Sequence, residues 1–232
     1  MLSPKVLAAV TTVAMLIYLV VPKSNFPASV KERTDCLNNC RTIALGMLNY
    51  ESENGHFPPA YIADSSGKPM HSWRVLILPY IGHDDLFQRY RMDEPWDGPN
   101  NAKLHDHVVA VYRCPSSNSP EQCSDYVVVT GEGAVFEHDQ VTSITDILDG
   151  TADTLLVTET TKDFAHWMAP NDISLDTFLS DTTEDEQFNH PGTKSIVMCD
   201  GARHSLRSDN PREELRRLVL IDDGEKPDIR AD

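Results

Sequence analysis

The stretch Asn49–Pro59, Asn-Tyr-Glu-Ser-Glu-Asn-Gly-His-Phe-Pro-Pro, decides the fold because it ends a long helix. Gly55 suits the left-handed position just after a helix, and Pro58-Pro59 cannot continue one. Upstream of this stop, apolar residues return at helical spacing: Leu37, Cys40, Ala44, Met47 and Leu48. The sequence therefore predicts a helix from about Ser29 to Asn54. Its apolar stripe is narrow, so we expect it to lie on a sheet.

An uncharged apolar run, Val6–Val21, precedes this helix. A bilayer-spanning helix needs about 20 such residues, so the run is slightly short. No cleavage site with small residues follows it, and residues 1–28 are therefore predicted to be an uncleaved membrane anchor. A cleaved signal peptide is the second interpretation and a soluble core helix the third. Lys5 favours a cytoplasmic N-terminus, whereas the basic residues after the run favour the opposite orientation.

Composition restricts the possible functions. The chain has 232 residues, with 36 acidic and 20 basic side chains and a net charge of -16. Such a surface disfavours nucleic acid, whose phosphates require Lys and Arg. There is no Gly-x-Ser-x-Gly nucleophile motif and no phosphate-binding Gly loop with a Lys. We therefore expect a protein that is not an enzyme.

The five cysteines follow no zinc-motif spacing, because Cys-x-x-Cys is absent. Cys36 and Cys40 are four residues apart and share a helix face, where cysteine usually packs as a small hydrophobic residue. Cys114 and Cys123 bracket a short loop, and a disulfide between them is plausible if the domain lies outside the cytoplasm.

The body of the chain reads as a mixture of helices and strands. Predicted helices are a short one before Tyr90 and one near Ile144–Gly150, and Trp73–Ile81 is a buried helix or strand. The predicted strands are Val108–Tyr112, Tyr126–Val129 and Thr154–Thr158. An acidic loop region is predicted over Phe164–Glu186.

The C-terminal part gives the clearest local signals. Ser195–Leu206 predicts a hairpin in which Asp200-Gly201 forms a two-residue type I′ turn. A helix follows, with Asn210 as N-cap and Pro211 in the first helical position. The domain is predicted to span residues 29–221, and 222–232 is a charged tail that we expect to fray.

Several motifs together resemble a known family. They are Asn49-Tyr50 with Gly55-His56-Phe57-Pro58-Pro59, Ser72-Trp73-Arg74, Asp93-Glu94-Pro95-Trp96-Asp97-Gly98, Tyr112-Arg113-Cys114-Pro115-Ser116, Asp149-Gly150-Thr151, and His190 nine residues before Asp200-Gly201. The set resembles the pilin-like proteins of unknown function that are abundant in planctomycetes, which carry a prepilin-type N-terminal segment and a C-terminal His-x9-Asp-Gly motif. The end of the first helix is also similar to type II secretion pseudopilins.

The resemblance implies an α+β, pilin-like fold: a long N-terminal helix on an antiparallel sheet, with a short C-terminal helix. It implies a single-pass protein of the cell membrane whose main domain is extracytoplasmic, and whose partners are the membrane and other pilin-like subunits. No activity follows from it. The first eight residues lack the Gly and Glu of a prepilin peptidase site. The alternative is a stand-alone extracytoplasmic module that binds glycan, peptide or calcium, and a hydrolase is the third hypothesis.

Two groups of residues are candidate sites. The family motif comprises His190, Asp200 and Gly201, which serve either as a ligand or catalytic group or as loop and turn residues. Asp93, Asp97 and Asn100 offer oxygen ligands to calcium from one loop. That loop lacks the spacing of an EF-hand, and turn hydrogen bonds explain its composition equally well. No other cofactor is predicted.

Overall fold

The computed structural model describes residues 30–162, 164–181 and 188–231. Helix α1, Val30–Asn54, has 25 residues and confirms the long helix predicted from sequence. Its buried face consists of Cys36, Cys40, Ile43, Ala44, Gly46 and Met47. Gly55 follows with a φ of 80°, the left-handed geometry expected after the helix. The predicted anchor, residues 1–28, lies outside the described residues, and none of the described helices combines the length and apolar character needed to cross a bilayer.

The remaining elements are short. The other α-helices are α2 Trp73–Leu76, α3 Asp84–Arg89, α4 Leu175–Asp181 and α5 Arg212–Val219. The strands are β1 Tyr61–Ala63, β2 Pro69–Ser72, β3 Cys123–Ser124, β4 Tyr126–Val127, β5 Val129–Thr130, β6 Leu155–Glu159, β7 Ala165–His166, β8 Ile173–Ser174, β9 Thr193–Met198 and β10 Arg203–Arg207. Single 3-10 turns cover Leu78–Ile81, Asn101–Leu104, Ala110–Tyr112 and Ile144–Asp146.

A four-stranded antiparallel sheet in the order β10-β9-β6-β4 forms the middle layer. Every residue of β6 and β9 is buried, so both faces of the sheet are covered. Side chains alternate along β9: Val197 joins the core beneath α1, whereas Ile196 and Met198 join a second core with residues of α4 and α5. The architecture is therefore α+β, with the long helix on one face of the sheet and α4 and α5 on the other.

A buried ion pair connects α2 to the loop before β8. Arg74 is fully buried and its Nη2 lies 2.8 Å from Oδ1 of Asp172, whose side chain is 4% exposed. The guanidinium also donates to the carbonyl of Tyr126. Asp172 accepts further hydrogen bonds from Trp73 Nε1 and from the backbone N–H of Val128. All the strong donors and acceptors of the pair are thereby used.

Three local predictions are wrong. The predicted strand Val108–Tyr112 contains a 3-10 turn, Ala110–Tyr112, because Val109 and Tyr112 are both buried and Tyr112 donates its hydroxyl to the carbonyl of Arg74. The predicted helix near Ile144 is only the 3-10 turn Ile144–Asp146. The region predicted as an acidic loop contains β7, β8 and α4.

The hairpin of β9 and β10 is confirmed, but its predicted turn type is wrong. Only Gly201 of the pair has a positive φ, at 84°. The N–H of Gly201 donates to the carbonyl of Met198, and the N–H of Met198 donates to the carbonyl of Ala202. This is a three-residue loop with Gly in the left-handed position, and the Asp200 carboxylate accepts from the N–H of Ala202.

The C-terminal helix is also confirmed, with two differences. Asn210 does not cap it; its amide donates to the carbonyls of Arg207 and Arg230 instead. The tail does not fray over the described residues, because the Asp149 carboxylate accepts from the N–H groups of Asp223 and Gly224. Its far end is fixed by the N–H of Arg230, which donates to Asn210 Oδ1.

Gly46 allows α1 to approach the 3-10 turn Leu78–Ile81 closely. A Cβ on Gly46 would lie 2.6 Å from Cγ2 of Ile81 and 3.5 Å from Cδ1 of Ile77. We expect Gly46→Val to lower the free energy of unfolding by about 1–3 kcal/mol, because the inserted side chain overpacks this contact. Urea unfolding measures the change.

Leu45→Val is the matched control, since Leu45 is exposed on the same helix and the substitution carries the helix-propensity cost of Val without the contact. Equal midpoints for the two variants would contradict the close approach.

Candidate metal centre

Four buried side chains from distant parts of the chain meet where α1 crosses the sheet: Cys36, Cys114, Glu159 and His190. One ligand atom from each lies within 4.8 Å of the others. Each of the four residues is no more than 1% exposed. In the described part of the chain, this is the one group of three or more His, Cys, Asp or Glu side chains that is close enough to share an ion.

Cys36 reaches the cluster because it lies on the buried face of α1, one turn before Cys40. The hydroxyl of Tyr126, on the edge strand β4, donates to Cys36 Sγ over 3.1 Å and to its carbonyl over 3.3 Å. These contacts hold the first turns of the helix against the sheet.

Cys114 follows the 3-10 turn Ala110–Tyr112 and begins a turn of its own. Its N–H donates to Asp125 Oδ2 over 2.7 Å, and Ser117 donates its hydroxyl to Asp125 Oδ1 over 2.6 Å. The buried carboxylate of Asp125 therefore fixes the backbone from 114 to 117. Pro115 fits this turn because its fixed φ removes freedom from the loop.

Glu159 ends β6, in register with Tyr126 of β4. Its Oε1 accepts from Asn189 Nδ2 over 2.7 Å, and its Oε2 accepts from the N–H of Ser195 over 3.2 Å. His190 precedes β9, in a tight turn that Gly192 allows with a φ of 71°. Nε2 of His190 lies 3.4 Å from Cys114 Sγ and 3.9 Å from Glu159 Oε1.

Proton affinities in the cluster are strongly perturbed. Burial raises the pKa of Glu159 to about 7. Burial alone would lower the pKa of His190, but its contact with Cys36 and the charge of Glu159 raise it. Burial alone would raise the pKa of Cys36, but hydrogen bonding from Cys114 and other neighbours lowers it. The hydrogen bond between the two thiols, together with burial, raises the pKa of Cys114. Of the two, Cys36 therefore loses its proton at the lower pH.

The donor set is two sulfurs, one imidazole nitrogen and one carboxylate oxygen, each of which is a donor type that zinc accepts in proteins. None of the five cysteines, all within the described residues, forms a disulfide. Cys114 therefore faces His190 instead of bonding to Cys123, and Cys36 is a candidate ligand instead of only a packing residue.

The structure separates the residues of the family motif. His190 is 1% exposed and belongs to the cluster. Asp200 and Gly201 lie at the other end of β9, in the exposed hairpin turn. The three therefore do not form one site: His190 faces potential metal ligands, and Asp200-Gly201 shapes the turn.

The calcium candidates Asp93, Asp97 and Asn100 lie on an exposed loop. The structure organises this loop around Glu94, whose carboxylate accepts from the N–H groups of Asn100 and Asn101. Within the part of the chain that the structure describes, neither Asp93 nor Asp97 belongs to a group of close ligand side chains. Calcium binding at this loop stays a prediction.

Sequence reasoning identified one of the four cluster residues, His190. Cys36 and Cys114 were assigned to packing and to a disulfide, and Glu159 was not considered. The sequence does contain one signal for the cluster. Glu159 directly follows Leu-Leu-Val-Thr, the pattern of a buried strand, and a buried carboxylate requires a partner.

Comparison with known proteins gives one match. No curated protein and no solved structure matches the chain. Residues 29–133, somewhat less than half of the chain, match the model of a family described as SBP_bac_10, protein of unknown function (DUF1559). This match is consistent with the pilin-like family of unknown function that the motifs resemble.

Proposed function

We propose that this chain is a membrane-anchored, pilin-like structural or assembly protein, not an enzyme, whose folded domain lies outside the cytoplasm. The observation that carries the proposal is the position of α1. This helix packs one face on the sheet and begins at the surface of the domain, directly after a sequence that contains the apolar run Val6–Val21. Its partners are then the membrane and further pilin-like subunits.

The exposed start of α1 supports this arrangement. Val30 is 85% exposed, and the next turn carries an exposed ion pair between Lys31 and Asp35. Val30 therefore lies at the surface of the domain and not in its core. An apolar anchor attached there can enter a bilayer without disturbing the packing of Cys36 and Cys40 below it.

The buried cluster also favours a structural role. Its four ligand residues are no more than 1% exposed, so a substrate has no direct approach to them. Catalytic metal sites keep one position open to water or substrate, whereas structural sites are closed by protein ligands.

Charge placed in the apolar run tests the anchor. An Arg at the centre of a membrane helix costs about 2.5–3.5 kcal/mol, so we expect Val13→Arg to release much of the full-length protein from the membrane fraction after a carbonate wash. Val30→Arg is the matched control, because it adds the same charge at an exposed position of the domain. Protease added to intact spheroplasts should degrade the domain of the unaltered protein.

Retention of Val13→Arg in the washed membranes, equal to the control, would refute the anchor. Protection of the domain from external protease would refute its extracytoplasmic placement. Chemical cross-linking of the unaltered protein in membranes tests assembly, and recovery of monomer alone would argue against a pilin-like partner.

A further inference from the structure

We propose that Cys36, Cys114, Glu159 and His190 together bind one zinc ion, which fastens the first turns of α1 to the sheet. The inference concerns the interior of the domain and does not depend on membrane anchoring. It makes His190, the buried residue of the family motif, a metal ligand, whereas Asp200 and Gly201 remain turn residues.

The spacing of the donor atoms fits a tetrahedral ion. Zinc bonds of about 2.0–2.3 Å to nitrogen, oxygen and sulfur place neighbouring ligand atoms about 3.3–3.8 Å apart. Here Cys114 Sγ and His190 Nε2 are 3.4 Å apart, and His190 Nε2 and Glu159 Oε1 are 3.9 Å apart. With every pair within 4.8 Å, small inward movements of the side chains complete the geometry.

Groups outside the cluster already orient the ligands. Tyr126 donates to Cys36 Sγ, and Asn189 together with the N–H of Ser195 holds the Glu159 carboxylate. Hydrogen bonds of this kind fix the direction of a metal ligand and tune its affinity. They come from β4, from the turn before β9 and from β9 itself, so the central sheet and the turn that leads into it position the site.

Burial of these four polar groups favours a bound cation. Two thiols, a carboxylate and an imidazole are enclosed together, and removing such groups from water is costly unless they are paired. Nδ1 of His190 is buried and has no hydrogen-bond partner among the residues that the structure describes. The other ring nitrogen, Nε2, lies next to Cys114 and Glu159 and is the atom that would bind the ion.

The cluster lies beneath a surface groove. This groove of about 520 Å³ runs beside α1 and is lined by Asn39, Arg113, Cys114 and Ser117, among others. Cys114 therefore lines the groove and also belongs to the buried cluster. Four protein ligands with no open position define a structural site, which stabilises the fold instead of activating water.

Metal analysis of the purified full-length chain in detergent tests the assignment. After growth with zinc and dialysis under mild reduction, we expect about one zinc per chain. Cys36→Ser and Glu159→Gln should each lower zinc affinity at least 100-fold, and Tyr126→Phe about 10- to 100-fold through loss of the hydrogen bond to Cys36. Cys199→Ser is the matched control, because Cys199 is equally buried but lies after β9, at the opposite end of that strand from His190, and outside the cluster.

Cobalt(II) in place of zinc gives a readout that does not depend on stability. The unaltered protein and Cys199→Ser should show thiolate-to-cobalt charge-transfer absorption in a tetrahedral spectrum, and Cys36→Ser should show a weaker band while its circular dichroism still reports a folded chain. Should Cys36→Ser fail to fold, Glu159→Gln with both thiols intact still tests the change in ligand field.

Three results would overturn the proposal. One is a folded chain with free thiols that binds neither zinc nor cobalt. Another is a disulfide between Cys36 and Cys114, identified by peptide mass under non-reducing digestion. The third is an equal loss of zinc in Cys199→Ser and Cys36→Ser, which would show that the loss does not come from removing a ligand of this cluster.

Discussion

Asp172→Asn is expected to lower the free energy of unfolding by about 3–5 kcal/mol, the cost of breaking a buried ion pair. The substitution leaves the guanidinium of Arg74 in a site with no exposed surface, and a guanidinium does not lose its proton at any ordinary pH. Urea unfolding followed by tryptophan fluorescence measures the change. Arg207→Met is the control, since it removes a cation from an exposed pair, and its midpoint should change little.

Arg74→Met breaks the same ion pair but leaves the carboxyl of Asp172, which can become neutral by taking up a proton. Burial raises the pKa of Asp172 even beside Arg74, and the pKa rises further when the guanidinium is removed. A carboxyl whose pKa is raised by folding stabilises the fold below its unfolded pKa of about 3.9, and that stability is lost as the pH rises through its folded pKa. The stability gap between the unaltered protein and Arg74→Met should therefore narrow as the pH is lowered from 7.5 to 4.5. A stability difference that widens as the pH is lowered would contradict the raised pKa of Asp172.

Trp167→Ala should have a comparable effect, about 3–5 kcal/mol, because it opens a large cavity in the main core. Trp167 is 1% exposed, and its Nε1 donates to the carbonyl of His107 over 2.8 Å. The loss of the ring also leaves that carbonyl without its donor. Thermal and urea unfolding give the magnitude.

Leu148→Ala provides the comparison for this substitution, since Leu148 is 67% exposed and its truncation should cost about 0.5 kcal/mol or less. A similar cost for both truncations would show that Trp167 is not part of the packed core.

The long helix and the last hairpin were predictable because their signals are local. Helical spacing with a Gly-Pro stop predicted α1, and Asp200-Gly201 between two strand patterns predicted β9 and β10. The turn type was wrong because the Asp200 side chain stabilises a three-residue loop that uses one positive φ instead of two. Similarly, Asn210 is a residue type that often caps helices, but its side-chain amide donates to the carbonyl of Arg230 in the tail. No local sequence pattern predicts this contact.

The candidate site was largely beyond sequence reasoning, because its members share no spacing. Zinc motifs are recognised when their ligands come from one or two short segments. Here each ligand comes from a different element, and Cys114 and His190 are 76 positions apart. Only the fold brings a helix cysteine, a loop cysteine, a strand glutamate and a turn histidine to one point.

The packing of α1 on β9 has a consequence for biosynthesis. The helix is made first, but the strand that covers it is made near the end: Asn38 on α1 contacts Arg203 on β10 across 165 positions of the chain. Contacts of such long range close slowly, because the entropy of the intervening loop is lost before they form. In a nascent or newly exported chain, the apolar stripe of α1 therefore stays exposed until β6, β9 and β10 have been synthesised or exported. In that interval a holding chaperone, or a second copy of the same stripe, competes with the chain's own sheet.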